Sequence, residues 1–122
     1  MKNFLLILFL CCTFSVVKAI ESKIIYNIEN QIITNIDIKR EFKYLIALNN
    51  SLKELSKKKI LDISNESIIR EKIKKIEILK NFKEIKLDDD YYEILLKNIY
   101  SRLSLKSINE FEIYLKDYDL TI

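Results

Sequence analysis

No glycine, proline or histidine occurs in the 122 residues of the chain. Average usage of about 7 % glycine and 5 % proline would give roughly eight and six, so every turn falls to Asn, Asp, Ser or Lys. Without histidine the chain lacks the side chain best suited to proton transfer near neutral pH and the commonest metal ligand. Cysteine is confined to Cys11 and Cys12, both inside the first apolar stretch. Removal of that stretch leaves no thiol, which excludes disulfides and thiolate metal sites from what remains. Neither charge sign dominates: without Lys2 and Lys18 the 21 basic residues become 19 against 18 acidic, a net charge of +1. That balance offers no electrostatic footprint for nucleic acid.

What is present begins with MKNFLLILFLCCTFSVVKA, Met1 to Ala19. Lys2 supplies a positive n-region, Phe4 to Val17 an apolar run, and Val17 and Ala19 the small residues that precede a signal-peptidase cut. The pattern predicts a signal peptide over 1–19, cleavage between Ala19 and Ile20, and a mature domain over 20–122. The alternative is an uncleaved inner-membrane anchor, although Phe4–Val17 is short against the roughly 20 residues that span a bilayer. About 103 mature residues make one small domain with a modest core.

Along the mature chain, Lys23–Asn27 (KIIYN) and Gln31–Thr34 (QIIT) are β-branched runs that predict a hairpin turning near Glu29 and Asn30. Thr34 and Asp37 then stand at capping-box spacing, which starts a helix with Ile38, Phe42, Leu45, Ile46 and Leu48 on its apolar face, ending at Asn49. The next helix runs from Lys57 to about Phe82, with Ile60, Leu61, Ile68, Ile69, Ile73, Ile76 and Leu79 three and four apart and Ser64 in the gap. Asp88, Asp89 and Asp90 read as a helix start meeting the positive end of the dipole, not as a cation site. A stripe of Tyr91, Leu95, Ile99 and Leu103 follows, widened by Tyr92, Leu96 and Tyr100. Ser107 and Glu110 form a second capping box before a short helix bearing Phe111, Tyr114, Leu115 and Tyr118. The expected fold is mainly α, a short N-terminal β-hairpin followed by a bundle of about four helices.

Catalysis needs a nucleophile with its base, paired carboxylates in a pocket, or a bound metal or cofactor. None of these has a signature here, so no enzymatic activity, cofactor, metal or small-molecule substrate is expected. The order of parts, KIIYNIENQIITNIDIKREFKYLIALN, then KKKILDISNESIIREKIKKIEILK, LDDDYY and SINEFEIYLKDYDLT, resembles the SurA N-terminal domain family over about Ile24 to Thr121. NQIITNIDI and SIIREKIKKIEILK carry the resemblance most specifically, and neither is a catalytic motif.

The resemblance implies a periplasmic chaperone that binds unfolded outer-membrane proteins during their assembly. Full-length members of the family continue into a further long helix and parvulin-type prolyl isomerase domains. This sequence has neither, so isomerase activity does not carry over. A truncated fragment and a membrane-anchored foldase relative are the alternatives. On the wide apolar arc of the long helix, Ile69, Ile73 and Ile76 are expected to line an uncovered groove that binds extended clients or drives self-association.

Overall fold

The structure is a computed structural model and describes residues 21–122. The predicted export signal, its cleavage point between Ala19 and Ile20, and the anchor alternative at Phe4–Val17 lie outside the described residues. Element order is β1 (Ile24–Ile28), β2 (Gln31–Thr34), α1 (Asn35–Leu48), a 3₁₀ turn (Asn50–Glu54), α2 (Lys57–Asn81), α3 (Asp89–Arg102) and α4 (Ile108–Lys116). The chain is therefore mainly helical with a two-stranded antiparallel hairpin ahead of its helices.

The hairpin turns through Glu29 and Asn30, with Ile28 opposite Gln31. Glu29 has φ 51°, the left-handed region that glycine would normally fill. This corrects the expectation that Asn, Asp, Ser or Lys would make every turn. Ile24 pairs with Thr34 and Tyr26 with Ile33, so Ile25 is an extra residue bulged out of the ladder. Asn35 anchors the start of the hairpin: its amide donates to the Lys23 carbonyl (2.9 Å), its Oδ1 accepts from the Lys23 amide (2.7 Å), and its Nδ2 donates to the Glu21 carbonyl (3.0 Å).

At the start of α1 the predicted capping box is complete. Thr34 Oγ1 accepts from the Asp37 amide (3.2 Å) and Asp37 Oδ2 accepts from the Thr34 amide (2.8 Å). Thr34 Oγ1 also donates to Asp37 Oδ2 (2.7 Å), and this bond first, then the one from the Thr34 amide, holds the Asp37 carboxyl below its ordinary pKa. α1 ends at Asn49, whose Oδ1 accepts from the Ser51 amide (3.1 Å) and so opens a 3₁₀ turn that hydrophobic periodicity did not reveal.

α2 lies antiparallel to α1, with Ser67 Oγ donating to Glu41 (2.6 Å). Its buried residues are Ile60, Ser64 and Ile68, a stripe spaced by four. Ser64 is fully buried and donates to the Ile60 carbonyl (2.7 Å), which satisfies its hydroxyl within its own helix. The sequence gap at Ser64 is thus part of the packed stripe, where a small side chain lets the two helices approach. Beyond Ile68 no residue of α2 is buried, although Ile69 packs on the hairpin cluster and Lys80 reaches Glu29 in the hairpin turn at 3.8 Å.

α3 starts at Asp88, whose Oδ1 accepts from the Asp90 and Tyr91 amides. Its buried stripe differs from the expected one. Leu96 is buried and Ile99, Tyr100 and Leu103 pack beside it, whereas Tyr91, Tyr92 and Leu95 stay exposed because no element covers the first turns. α4 opens at Ser107, which accepts from the Glu110 amide (3.2 Å). The expected reciprocal arm is displaced: Glu110 Oε2 takes the Lys106 amide (2.8 Å) instead of that of Ser107.

Both C-terminal helices end without glycine in the same way. Leu105 and Leu120 donate back to the carbonyls of Tyr100 and Leu115, while Ser104 (φ 62°) and Asp119 (φ 55°) take the left-handed position. Leu120 is buried and Leu105 packs at the edge of the same cluster, which supplies the apolar contact that usually accompanies this ending. Tyr118, expected on the last helix, lies in the turn beyond it.

Two apolar clusters result. Ile33, Ile38 and Ile68 join the hairpin to α1 and α2. Ala47, Leu96, Phe111, Leu115 and Leu120 join the end of α1 to α3, α4 and the C-terminal turn. Polar bonds reinforce the second: Tyr114 Oη donates to the Ala47 carbonyl (2.7 Å), Tyr44 Oη to the Thr121 carbonyl (3.1 Å), and Lys43 Nζ to Asp119 (2.7 Å).

Candidate binding surface

Where β1 meets α1 and α2, the fold leaves an apolar cleft of about 510 Å³. Strict alternation along β1 would send Ile25 and Tyr26 to opposite faces. The bulge at Ile25 cancels that alternation locally, and both residues line the cleft. Ile38 and Phe42 from α1 and Leu61 from α2 complete the apolar wall. Ile25 is 40 % exposed and Tyr26 38 %, so the wall is open to solvent on the hairpin side.

Charge at the cleft has one sign. Lys39, Lys43 and Lys57 line it and no carboxylate does. Lys43 is engaged by Asp119, whose carboxyl is held below its ordinary pKa chiefly by that hydrogen bond. Lys39 and Lys57 form no ion pair among the described residues. Asn65 also borders the cleft, and its Oδ1 is buried without a hydrogen-bond partner.

A second cleft, of about 650 Å³, lies between α3 and the start of α4. Its lining mixes Asp90 and Glu93 with Lys97 and Lys106, so it selects no charge, and Ile94 and Ile108 are its exposed apolar edge. Among the described residues no group of His, Cys, Asp and Glu could hold a metal ion, and no helix is long and apolar enough to cross a membrane.

The residues picked out by periodicity sit on the second half of α2, beyond its last buried residue. Ile69 is half-buried against the hairpin cluster, Ile76 is half-buried, and Ile73 is 46 % exposed. None of the three lines either cleft just described. Their exposed neighbours are Ile78, Leu79 and Phe82, followed by Ile85 and Leu87 on the extended connection to α3. The sequence marks Ile25, Tyr26, Phe42 and Leu61 only as hairpin or helix residues. The bulge that gathers them has no local signature in a run as uniformly β-branched as KIIYNI.

No family model, curated protein or solved structure matches the chain.

Proposed function

We propose that the protein is an exported chaperone-type module of the SurA N-terminal kind, which acts in the periplasm by holding unfolded outer-membrane proteins against apolar helical and hairpin surface. The observation that supports this reading is the inversion of apolar exposure. Among the described residues nineteen large hydrophobic side chains are exposed, against nine buried hydrophobic residues. Fourteen of them fall on the hairpin, on the second half of α2 with its connection, and on the first turns of α3, and large apolar surface left in water marks binding sites for other chains. Isoleucine, leucine and tyrosine side chains in such patches accept varied apolar partners without reading a strict sequence. The role needs no catalytic step, cofactor or metal, and none is proposed.

Dilution of a urea-unfolded outer-membrane β-barrel protein into buffer with and without the purified chain tests the reading by light scattering. Suppressed aggregation, together with binding of a hydrophobic dye by the folded protein, is the expected result. Ile73→Lys should weaken both and leave the thermal transition in place. Unchanged aggregation with a dye-negative native state would refute the proposal. N-terminal sequencing of the exported product, expected to begin at Ile20, tests the compartment separately.

A further inference from the structure

The lysine-rimmed cleft and one other part of the surface are complementary in chemistry. Residues Leu87–Tyr92 (LDDDYY) carry three carboxylates, no cation and three apolar side chains, and every residue of the stretch is exposed. Asp88 is used in capping α3, which leaves Asp89 and Asp90 without a partner among the described hydrogen bonds and ion pairs. The cleft presents the reverse: Lys39, which feels Asp119 without pairing with it, and Lys57 form no ion pair among the described residues and stand beside an apolar wall of Ile25, Tyr26, Phe42 and Leu61. The start of α2 adds to the contrast. It places Lys57, Lys58 and Lys59 with no acidic residue in the first turn, against the helix dipole, where a fold selected only for stability would place acids. Lys57 has no ion-pair partner among the described residues, and an external carboxylate would supply one.

We infer that the cleft of one copy of this chain docks the Leu87–Tyr92 segment of a second copy, with Leu87 and Tyr91 against the apolar wall and Asp89 and Asp90 facing Lys57 and Lys39. The contact is head-to-tail. Each copy offers a cleft and a segment at different places, so two copies close only by exchanging segments reciprocally, and otherwise longer chains grow. A six-residue segment in a small open cleft makes an interface at the weak, transient end of the size range. The association is therefore reversible and salt-sensitive, and it keeps the cleft covered until a competitor takes the place of the segment. This inference is independent of the chaperone reading, since self-docking needs no client.

Sedimentation velocity of the full chain over a concentration series tests it. Raising the salt from about 0.1 M to about 1 M shortens the screening length from about 10 Å to about 3 Å and should weaken association about tenfold. Lys39→Glu with Lys57→Glu should abolish self-association, as should Asp89→Lys with Asp90→Lys. An equimolar mixture of the two variants should associate again, because one retains an intact segment and the other an intact cleft. That recovery also shows that both variants are folded. Carbodiimide treatment of mixed ¹⁴N and ¹⁵N chains should give amide cross-links from Lys39 or Lys57 to Asp89 or Asp90 that join light to heavy peptides. A chain monomeric at all concentrations, a mixture that fails to recover, or cross-links confined to other residues would each overturn the inference. Loss of client binding on Lys39→Glu with Lys57→Glu in a strictly monomeric protein would assign the cleft to clients instead.

Discussion

Tyr114→Phe should destabilise the fold far more than the loss of one surface hydroxyl. α1 stops at Leu48, so the Ala47 carbonyl has no backbone donor in the next turn: the Ser51 amide is taken by Asn49, and α1 has no basic residue in its last turn. Tyr114, distant in sequence, supplies the missing donor at 2.7 Å, and Ala47 itself is fully buried. A hydrogen bond of this kind contributes about 1 kcal/mol net, and a buried carbonyl left unpaired costs about 1–3 kcal/mol, so we expect a loss of about 2 kcal/mol. For a domain near 100 residues that lowers Tm by roughly 10 °C. Urea titration followed by circular dichroism should show a lower midpoint with an unchanged slope. Tyr118→Phe is the control. Its half-buried hydroxyl lies 3.3 Å from that of Tyr114 and accepts from Lys53 Nζ at 3.0 Å, and its removal should cost less than about 0.5 kcal/mol. The pair also predicts a pH dependence. Burial pushes the Tyr114 hydroxyl up to about 12, so its contribution is full below the ordinary value of 10 and is lost as pH rises through 12. Tyr118 is shifted down, chiefly by its hydrogen bond with Tyr114, and works in the opposite sense. A Tyr114→Phe midpoint within about 0.3 kcal/mol of the parent would mean that water reaches the Ala47 carbonyl and would refute this reasoning.

Other expectations follow from single residues. Ser104→Gly should stabilise by about 0.5–1 kcal/mol, because Ser104 stands at φ 62° where only glycine escapes steric conflict, less the extra freedom glycine gains when unfolded; a thermal melt reads it directly. Asp37→Ala should cost about 1 kcal/mol at neutral pH and remove part of the acid sensitivity: the lowered Asp37 pKa gives stability above the ordinary value of 3.8 that disappears as pH falls below it. Asn65→Leu should leave stability unchanged or raise it by about 1 kcal/mol, since it replaces a buried acceptor that has no partner with an apolar group of similar size, and chemical denaturation checks it.

Local chemistry made much of the fold legible. The Thr34 box, the Asp88 cap and the Ser107 cap are each decided within four residues, and the structure places a helix start at all three. What escaped depended on contacts between distant segments. A stripe of Tyr91 and Leu95 is as periodic as one of Leu96 and Ile99, and only the position of α4 and the end of α1 decides which is buried. Ile69, Ile73 and Ile76 show the same thing, because periodicity records that an arc is apolar without saying which neighbour covers it. The cleft was least legible of all, because one inserted residue in β1 creates it and the lysines around it come from two helices.

Among the described residues, α1 is the only element with buried residues in both apolar clusters, Ile38 in one and Ala47 in the other. Neither cluster can melt while α1 keeps both of its faces dry, so the two are thermodynamically linked through a single helix. Amide protons in the middle of α1 should then be among the last to exchange, and those of α2 beyond Ile68 among the first. A lesion at Leu115, in the cluster that does not include the hairpin, reaches the cleft as a rise in the fraction of molecules whose α1 wall has come undone. Substitutions remote from the cleft will consequently change apparent affinity there without touching anything that binds.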